Sequence, residues 1–430
     1  MSNIVVYGKG KTGISMTKLL ESQNEEYIVW DDRDCVDGYP FDAETKVVVS
    51  PGVSPHAEGL KKAVSVGAEI VSEIDFCASL CKGRIVSVTG TNGKTTTCNM
   101  IYDILSEHGF ARLLGNGGVP FSAEVADVRH DETVVLECSS FQLGTCKTFA
   151  PNVSVFTNLA PDHLDYHGSF VAYAKAKCNV FRRQNSDGYA IFNADDERLR
   201  RLSSLAGCRV LYYSLSDVNA NCFFDDSNVV CRIDGRKFCY PCGKISRMLA
   251  HNKSNVLAAI AACVASGISL KDCVDVLQNF SPLPHRVQTV ASYKNVIFVD
   301  DSKGTNIHAA RSAIACFDCP IALIVGGSDK GENFDDLFPL PQNVVAVFAV
   351  GQTSQNIVRS ANKFCCSAVV ADGYRQAVCG CYDALQKVGG GVVLMSNACA
   401  SFDMFDGYAD RGNHFAKTVK EFIREQNSAV

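Results

Sequence analysis

Short apolar runs alternate with amphipathic stretches through the first part of the chain. The runs IVVY, YIVW, VVVS and AEIV all lie within residues 1–82, and the pattern between the first two predicts a helix near residues 12–23. Short apolar strands that alternate with helices are typical of a parallel sheet with crossover helices. Residues 1–83 are therefore predicted to form a small α/β domain.

A second series of apolar runs predicts a larger α/β domain over residues 84–283. The expected strands are RIVSVTG (84–90), TVVLEC (133–138), VSVFTNL (153–159) and GYAIFN (188–193), with helices expected at about 94–108 and 169–183. Residues 208–245 are predicted to form short strands with turns. An alanine-rich helix is predicted over 252–266.

The segment SPLPHRVQ (281–288) is the clearest linker, because its two prolines disfavour regular structure. Behind it, the runs VIFVDD, IALIVGG, VVAVFAV, CSAVVAD and GGGVVLMS predict a third α/β domain over residues 284–430. A chain of 430 residues is long for one hydrophobic core, which agrees with a division into several domains.

Composition and charge narrow the classes of partner. The 41 basic and 46 acidic side chains give a net charge of −5, which favours neither nucleic acid nor an anionic membrane surface. The N-terminus leads directly into a strand, and no apolar run approaches the ~18 residues of a membrane span. We expect a cytoplasmic monomer without membrane insertion.

The chain has 21 cysteines, many of them inside apolar runs, which predicts buried thiols in a reducing compartment and not a disulfide framework. Cys239 and Cys242 form a CxxC pair, with Cys222 and Cys231 upstream. A four-thiolate zinc site is the alternative interpretation. The irregular spacing and the lack of a second CxxC pair argue against it.

The first glycine turn has the spacing Gly8-x-Gly10-x-x-Gly13 directly after the run IVVY. Asp31 and Asp32 follow about twenty residues later, where a ribose-binding acid would lie. A nicotinamide-dependent oxidoreductase is therefore one candidate function. The same glycine spacing is frequent in α/β proteins that bind no NAD.

The second glycine turn, Gly90-Thr91-Asn92-Gly93-Lys94-Thr95-Thr96, lies between a predicted strand and a predicted helix. Its backbone N–H groups and the helix N-terminus can surround a phosphate, Lys94 can reach the β- and γ-phosphates, and Thr95 can hold Mg²⁺. Val88 stands where the GxxxxGK[ST] pattern has its first glycine. The lysine followed by three threonines nevertheless favours a phosphate-binding loop.

Two side chains near this turn are candidate metal ligands. Glu137 ends an apolar run predicted to lie beside the phosphate-binding strand, where a carboxylate suits a metal ion on ATP phosphates. A solvated glutamate at a sheet edge is the alternative interpretation. His163 follows the next strand, and periodicity alone leaves open a helix cap or a packed core histidine.

Several ordered motifs carry a family resemblance: GTNGKTTT (90–97), GNGGVP (115–120), ECSSFQL (137–143), NLAPDHLDYHG (158–168), AKAK (174–177), HNKSN (251–255), LPHR (283–286), DDSKGTN (300–306), GGSDKG (326–331) and SNACASFDMFDGYADRG (396–412). With these motifs the whole chain resembles the Mur ligases, ATP-dependent amide-forming enzymes of peptidoglycan precursor synthesis. SSFQL, LPHR, DDSKGTN and ASFDMF are similar to the branch that adds D-glutamate to UDP-N-acetylmuramoyl-L-alanine.

The resemblance implies an α/β protein with a Rossmann-like N-terminal domain, a central P-loop domain with a mostly parallel sheet, and a C-terminal Rossmann-like domain. It implies that ATP phosphorylates the L-alanyl carboxylate and that the amine of D-glutamate attacks the acyl phosphate. The first domain would then hold UDP and not NAD. A sister Mur ligase or a folylpolyglutamate synthase-like ligase is the alternative within this class, and the oxidoreductase is the alternative outside it.

The resemblance also assigns residues to the two substrates. Those implied for the UDP substrate are Lys11, Thr12, Asp31, Asp32, Arg33, Ser50, Pro51, Gly52, Asn116 and Ser139. Those implied for D-glutamate are Lys303, Thr305, Lys330, Ser401 and Tyr408. The family often has phenylalanine near position 408, so the tyrosine hydroxyl of this chain needs a partner.

For ATP, the resemblance implies the loop 90–96 together with Asn252, Asn255, Arg286 and Asp301. The implied catalytic residues are Lys94, Glu137, His163 and Lys177. Two Mg²⁺ sites are implied, with Mn²⁺ as an alternative metal: Thr95 and Glu137 hold the first, and His163 and Lys177 the second.

A lysine cation would repel Mg²⁺, and the family's equivalent of Lys177 is carbamylated by CO₂, which requires a neutral amine and hence a lowered pKa. The alternative for Lys177 is a solvated helix lysine, for which the neighbouring Lys175 serves as the comparison.

Overall fold

The protein, described by a computed structural model over residues 4–33 and 39–428, forms two compact units. The first unit is Met1–Phe280 and the second is Ser281–Val430. The described residues form a four-stranded, a nine-stranded and a six-stranded sheet. The predicted α/β fold class is confirmed.

The four-stranded sheet lies at the start of the first unit. All its strands are parallel, in the order β2-β1-β3-β4. Its elements are β1 (Ile4–Tyr7), α1 (Lys11–Ser22), β2 (Tyr27–Trp30), β3 (Lys46–Val49), α2 (Glu58–Ser65), β4 (Glu69–Ser72) and α3 (Glu73–Leu80). Because the glycine turn after β1 leads directly into α1, the N-terminus of this helix lies at the carboxyl end of the sheet.

The nine-stranded sheet forms the rest of the first unit, in the order β13-β12-β11-β10-β9-β8-β5-β7-β6. The strand pairs β11–β12 and β12–β13 are antiparallel. Its strands are β5 (Arg84–Thr89), β6 (Phe110–Gly115), β7 (Glu132–Glu137), β8 (Val153–Phe156), β9 (Tyr189–Asn193), β10 (Arg209–Ser214), β11 (Cys222–Asp225), β12 (Asn228–Ile233) and β13 (Arg236–Pro241).

The helices of this part are α4 (Lys94–His108), α5 (Phe121–Glu124), α6 (Ser140–Gly144), α7 (Leu164–His167), α8 (Phe170–Cys178), α9 (Glu197–Leu202), α10 (Ala250–Ala265) and α11 (Leu270–Leu277). Short 3₁₀ segments cover Val125–Asp127, Ser203–Leu205 and Gly243–Arg247.

The strand order determines where functional side chains can meet. β5 lies between β7 and β8, and all three are parallel. The carboxyl ends of parallel strands lie at the same edge of a sheet. The turn after β5, the residue that ends β7 and the loop after β8 are therefore brought together.

The two sheets of the first unit share a hydrophobic core. Leu19 and Ile74, from the helices of the four-stranded sheet, belong to the same buried cluster as Phe121 and Phe149. Burial of apolar surface across the junction stabilises the packing of one sheet's helices against the other sheet's layer.

The second unit is built on the six-stranded sheet, in the order β14-β15-β19-β16-β17-β18. The pair β14–β15 is antiparallel, and the other pairs are parallel. Its elements are β14 (Gln288–Tyr293), β15 (Val296–Asp300), α12 (Ile307–Ile314), β16 (Ile321–Val325), a 3₁₀ segment (Phe334–Leu337), β17 (Val344–Ala349), α13 (Ser354–Lys363), β18 (Ala368–Val370), α14 (Tyr374–Gln386), β19 (Gly391–Met395) and α15 (Tyr408–Ser428).

The structure contains two strands that the apolar pattern did not predict. β6 carries Arg112, which pairs with Glu124 and Glu132, so a charged residue interrupts its apolar run. β14 is an edge strand with a largely polar sequence, QTVASY. The helix predicted over 169–183 is shorter than expected and ends at Cys178, and the strand predicted over 153–159 ends at Phe156.

Among the described helices, none is both long and apolar enough to cross a membrane.

Candidate functional site

The second glycine turn connects β5 to α4, and its backbone conformation requires glycine. Gly93 has φ +82°, and a Cβ added there would lie 2.6 Å from Oδ1 of Asn255. Asn158 fixes the preceding residue, because Asn92 N–H donates to its Oδ1 at 2.9 Å and its Nδ2 donates to the Asn92 carbonyl at 3.0 Å. These contacts fix the loop at the N-terminus of a fifteen-residue helix, where backbone N–H groups can bind a phosphate.

Thr91 anchors the other side of the turn. Its hydroxyl lies 3.0 Å from the hydroxyl of Tyr173 and donates to the carbonyl of Ala160 at 3.1 Å. Both partners come from the segment that follows β8. The phosphate turn and the loop carrying His163 therefore form one hydrogen-bonded structure.

Two lysines converge on one carbonyl of this turn. Nζ of Lys94 donates to the Gly90 carbonyl at 2.9 Å and to the Thr91 carbonyl at 2.8 Å. Nζ of Lys177 donates to the same Gly90 carbonyl at 2.7 Å. The two amine groups thus lie close together at the turn, where positive charge on either one disfavours positive charge on the other.

Lys177 is an unusual lysine. It lies on α8 and is 1% exposed, whereas Lys175 of the same helix is exposed. Burial lowers the pKa of Lys177 well below its usual range, and the neighbouring Lys94 lowers it further. The alternative of a solvated helix lysine is wrong, because this amine is buried and its pKa is shifted toward the neutral form.

Carboxylates surround the lysine pair. Glu137 ends β7, beside β5, and is buried, so the alternative of a solvated edge glutamate is wrong. Its Oε1 accepts from Nδ2 of Asn116 at 3.1 Å. Asp162 is also buried, and its charge opposes the lowering of the Lys177 pKa.

His163 is neither a core histidine nor a side-chain helix cap. Its backbone occupies the N-cap position of α7 with φ +52°, but its side chain makes no capping hydrogen bond. The ring is 36% exposed, lies 3.7 Å from Oδ2 of Asp162 through Nε2, and packs 4.7 Å from the Phe141 ring. An accessible imidazole beside a buried carboxylate can bind a metal ion.

The two predicted asparagines of α10 are both buried. Asn255 contacts the turn, since its Oδ1 accepts from the Thr97 hydroxyl at 3.3 Å and faces Gly93. Neither asparagine is a surface amide. Asn158 and Tyr173 were missed, although Asn158 begins one quoted motif and Tyr173 directly precedes another. For Asn158, the available signal was a polar residue shortly after a strand.

Ser139 is the N-cap of α6. Its hydroxyl accepts from Gln142 N–H at 3.3 Å and lies 3.0 Å from Gln142 Oε1, which also accepts from Ser139 N–H at 3.0 Å. This reciprocal capping box fixes the serine. Ser139 and Asn116 thus flank Glu137 and lie apart from the cavity that the other UDP-assigned residues line.

The first glycine turn opens on a cavity of about 800 Å³. All other residues assigned to the UDP substrate line it, namely Lys11, Thr12, Asp31, Asp32, Arg33, Ser50, Pro51 and Gly52. A cavity of this size accommodates a drug-sized ligand or nucleotide.

Its glycine pattern is explained by packing. A Cβ on Gly13 would lie 1.8 Å from the carbonyl oxygen of Gly8, so α1 can approach the turn only at a glycine. Arg33 and Asp31 form a two-bonded ion pair of 2.7 and 3.0 Å, and this pairing lowers the pKa of Asp31 to about 2. Asp32 accepts from Gly59 N–H at 3.2 Å. These contacts order the cavity wall without requiring a dinucleotide.

In the second unit, the residues assigned to D-glutamate form two contacts. Nζ of Lys303 lies 3.9 Å from the ring centroid of Tyr408. Nζ of Lys330 donates to the Thr305 carbonyl at 3.4 Å. Ser401 is buried at the start of the turn that precedes α15. Cations and donors of this kind suit a ligand with two carboxylates.

Asp301, assigned to ATP, is almost fully buried. Burial raises the pKa of Asp301 to about 7, and its Oδ2 accepts from the Ser396 hydroxyl at 2.6 Å. Arg286 lies close enough for its charge to oppose that rise. Next to them, His285 Nδ1 lies 2.7 Å from Asp300 Oδ2.

Arg411 was not predicted. It is fully buried and donates to the backbone carbonyls of Ser302 at 2.8 Å, Cys399 at 3.0 Å and Ala400 at 3.0 Å. It therefore ties the loop of Lys303 and Thr305 to the loop of Ser401.

The alternative of a four-thiolate zinc site is not supported. Cys222 and Cys231 lie opposite each other on the neighbouring strands β11 and β12. They and Cys242 are buried, whereas Cys239 is exposed. Over residues 4–33 and 39–428, no group of three or more His, Cys, Asp or Glu side chains could hold a metal ion unaided. All cysteines in the described ranges are free thiols.

Comparison with protein families and curated relatives places these features in context. Residues 88–263 match the family model of the Mur ligase middle domain. The chain is 34% identical over 450 residues to the UDP-N-acetylmuramoylalanine--D-glutamate ligase of Acidobacterium capsulatum, covering 97% of this chain and 95% of the relative. It is 34% identical over 442 residues to that of Pelotomaculum thermopropionicum, covering 97% of each.

Solved structures share the fold at lower identity. A pseudomurein peptide ligase type C from Methanothermus fervidus has a TM-score of 0.63 at 16% identity, covering 98% of this chain and 100% of that one. The MurF ligase of Thermotoga maritima in complex with ADP has a TM-score of 0.59 at 16% identity, covering 97% of this chain and 95% of that one.

Proposed function

This chain belongs to the Mur ligase family, and we propose that it joins D-glutamate to UDP-N-acetylmuramoyl-L-alanine with ATP, giving UDP-N-acetylmuramoyl-L-alanyl-D-glutamate, ADP and phosphate. The observation that carries the proposal is the convergence of Lys94 and buried Lys177 on the Gly90 carbonyl. The protein would act as a monomer in cytoplasmic peptidoglycan precursor synthesis.

The reaction has two steps. The L-alanyl carboxylate attacks the γ-phosphorus of ATP, so a carboxyl–phosphate bond forms, the β–γ bridge breaks and ADP leaves. The D-glutamate amine then attacks the carbonyl carbon of the acyl phosphate, and the tetrahedral intermediate collapses to an amide with loss of phosphate and a proton. Because the first step brings two anions together, stabilising positive charge is the main catalytic requirement.

Lys94 and the loop 90–96 hold the ATP phosphates. In the structure, the Lys94 ammonium group donates to the loop carbonyls of Gly90 and Thr91. We infer that it turns to the phosphate oxygens when nucleotide binds, because a charge-assisted contact to phosphate is stronger than one to a carbonyl. Buried Asn252 and Asn255 of α10 contribute to the ATP site from the other side of the loop.

Mg²⁺ fits the donors that are present. Glu137 supplies a buried carboxylate, Thr95 a hydroxyl in the first turn of α4, and His163 an accessible imidazole. Mg²⁺ is usually held by one or two protein ligands together with substrate phosphates and water. When bound, it neutralises charge on the phosphates, with Thr95 and Glu137 holding the first ion and His163 the second; Mn²⁺ is an alternative.

Lys177 is proposed to react with CO₂. The neutral amine nitrogen bonds to the carbon of CO₂ and loses a proton, which gives an anionic carbamate. The lowered pKa of the buried amine supports this reaction, since only the unprotonated form is nucleophilic. The carbamate would convert a repelling cation into an oxygen ligand for the second Mg²⁺.

The UDP end of the acceptor is assigned to the cavity of the first glycine turn. Lys11, Thr12, Asp31, Asp32, Arg33, Ser50, Pro51 and Gly52 line that cavity. Asn116 and Ser139, beside Glu137, are assigned to the muramoyl-alanine end. This division would place the reactive carboxylate near the phosphate turn and the nucleotide end away from it.

The binding site for the amino-acid substrate is assigned to the second unit. Lys303, Thr305, Lys330, Ser401 and Tyr408 are proposed to bind D-glutamate, with the Lys303–Tyr408 contact as the cationic wall. Arg286 and Asp301 are proposed to contact ATP. Buried Arg411 supports the proposal by joining the two loops that carry these residues.

The test is an assay of phosphate release and product mass with purified protein, ATP, Mg²⁺ and UDP-N-acetylmuramoyl-L-alanine. We expect turnover with D-glutamate and none with L-glutamate or meso-diaminopimelate. Turnover with meso-diaminopimelate alone would identify a sister ligase, and turnover only with a folate acceptor would identify the folylpolyglutamate branch. Oxidation of NAD(P)H without phosphate release would contradict the ligase function.

A further inference from the structure

Glu73 is a buried carboxyl group to which the proposed reaction gives no role. It is the first residue of α3 and is 2% exposed. Its Oε1 accepts two hydrogen bonds from Ser122, one from the backbone N–H at 3.0 Å and one from the hydroxyl at 2.7 Å. A buried carboxyl group is costly unless its hydrogen bonds serve the fold or the function.

Glu73 also lies beside Gln142, since both residues line one small cavity. Among the described residues, Oε2 has no hydrogen-bond partner, and the Gln142 side chain is near enough to favour the ionised carboxylate. Burial raises the pKa of Glu73, and the contacts with Ser122 and Gln142 oppose that rise. Glu73 is therefore hydrogen-bonded to Ser122 through Oε1 and lies beside Gln142, and both neighbours belong to the layer of the nine-stranded sheet.

Gln142 has only one orientation that satisfies both of its neighbours. Its Oε1 accepts from Ser139 N–H and lies 3.0 Å from the Ser139 hydroxyl. A carboxamide has one oxygen and one NH₂ group. Because the oxygen is committed to Ser139, the NH₂ group remains for the Glu73 carboxyl.

This orientation determines what Ser139 can offer to a ligand. The serine hydroxyl donates its proton to Gln142 Oε1 and accepts from Gln142 N–H at 3.3 Å. The hydroxyl oxygen of serine has two lone pairs, so one remains free. Ser139 can then accept a hydrogen bond from a substrate and cannot donate one.

The same residues lie next to the nucleotide cavity. A small cavity of about 20 Å³ is lined by Glu73, Gln142 and Tyr166 together with Ser50 and Pro51. Ser50 and Pro51 also line the cavity of the first glycine turn. Glu73 thus lies directly behind the wall along which the acceptor would extend.

We propose that Glu73 is a positioning residue for the acceptor substrate: through the Gln142 amide it holds Ser139 as a hydrogen-bond acceptor for an amide N–H of the muramoyl-alanine end. This inference rests on the proposed function, which assigns that end to Ser139. The acceptor's lactoyl–alanine amide supplies an N–H of the required kind.

The test compares Glu73→Gln with Asp75→Asn. Glutamine keeps the shape of Glu73 but has one acceptor oxygen, so either Ser122 or Gln142 would face an NH₂ group. Asp75, on the same helix, accepts from Lys147 N–H at 2.6 Å and Thr148 N–H at 3.2 Å and has no contact with Gln142 among the hydrogen bonds described. It therefore controls for general loosening of α3.

Binding of UDP-N-acetylmuramoyl-L-alanine is measured by calorimetry, with melting temperature and the KM for ATP recorded in parallel. We expect Glu73→Gln to weaken acceptor binding about tenfold and to change the KM for ATP by less than about twofold. Asp75→Asn should lower the melting temperature and leave acceptor binding unchanged. In a Ser139→Ala background, Glu73→Gln should cause no further loss of affinity.

The inference would be overturned if Glu73→Gln and Asp75→Asn lost acceptor affinity equally. It would also be overturned if Glu73→Gln weakened binding as much in the Ser139→Ala background as in the wild-type protein. Either result would leave the proposed function intact. Failure of the wild-type protein to bind the acceptor at all would overturn both.

Discussion

The two glycine turns of the first unit have the same local architecture and different surroundings. Each follows a parallel strand and leads into a helix that begins with a lysine, Lys11 after β1 and Lys94 after β5. The turn at Lys94 is enclosed by a second lysine and a buried carboxylate. The turn at Lys11 opens on a cavity of about 800 Å³ with Asp31, Asp32 and Arg33 in its wall.

The difference shows that the turn itself does not determine the chemistry. Both turns present a helix N-terminus, which favours any anion. At the second turn a buried lysine and a buried carboxylate lie beside the phosphate-binding loop, as phosphoryl transfer requires, whereas Arg33 and Asp31 at the first turn pair with each other. The first turn needs its glycines for close packing of α1. Substitutions at matched positions in the two turns can therefore separate ATP chemistry from acceptor binding.

The largest effect is expected from Lys94→Ala. Removing a preorganised cation from the γ-phosphate should lower kcat/KM for ATP by about a thousandfold. Calorimetric affinity for the UDP acceptor should stay within about twofold of wild type, because its UDP end is assigned to the cavity of the other turn. Substantial loss of acceptor affinity would contradict the separation of the two sites.

Lys177→Ala should lower activity by roughly a hundredfold or more, since it removes the proposed anionic ligand. Acetate or formate should restore part of the activity, and Lys175→Ala, on the exposed side of α8, should remain active.

Because burial and Lys94 lower the pKa of Lys177, its amine is neutral at lower pH than an ordinary lysine. Wild-type enzyme depleted of CO₂ should thus regain activity with bicarbonate at a pH below that at which an ordinary lysine loses its proton. If neither acetate nor formate restored the activity of Lys177→Ala, and its metal requirement were normal, the result would count against the carbamate.

Lys11→Ala is the matched substitution in the first turn. It should raise the KM for the UDP acceptor about tenfold by removing one charged contact, and leave the KM for ATP unchanged. Steady-state kinetics with each substrate varied in turn would measure this. A selective rise in the KM for ATP would reverse the assignment of the two turns.

The smallest effect is expected from Tyr166→Phe. The Tyr166 hydroxyl donates to the Val53 carbonyl at 3.2 Å and so joins the loop after β3 to the segment of His163. Loss of one half-buried hydrogen bond should weaken acceptor binding by about twofold to fivefold, with no change for ATP. An equal effect on both substrates would indicate a general loss of stability, which melting temperature would reveal.

The fold was largely predictable because most strands are continuous apolar runs. The four runs of the first sheet and the helix over 94–108 form as expected. β6 was missed because Arg112 interrupts its pattern and is neutralised only by residues from other elements. Local periodicity cannot reveal a partner that folding brings from elsewhere.

The site was predictable only through motifs and not through periodicity. Lys175 and Lys177 lie on one helix, and only the fold distinguishes them by burying one beside the phosphate turn. Asn158 and Arg411 act on backbone groups far along the chain, so their sequence neighbours give little indication of their roles. Glu73 is hidden for the same reason: Ser122 and Gln142 meet it only after the two sheets of the first unit pack together.

The central claim is that the turn over residues 90–96 binds the ATP phosphates while the cavity beside residues 8–13 binds the uridine nucleotide. The most direct measurement is a crystal structure grown with a non-hydrolysable ATP analogue, Mg²⁺ and UDP-N-acetylmuramoyl-L-alanine. The account predicts a triphosphate at 90–96 within reach of Lys94, and UDP in the cavity lined by Asp31 and Asp32. An empty turn at 90–96, with the ATP analogue bound at 8–13, would contradict it.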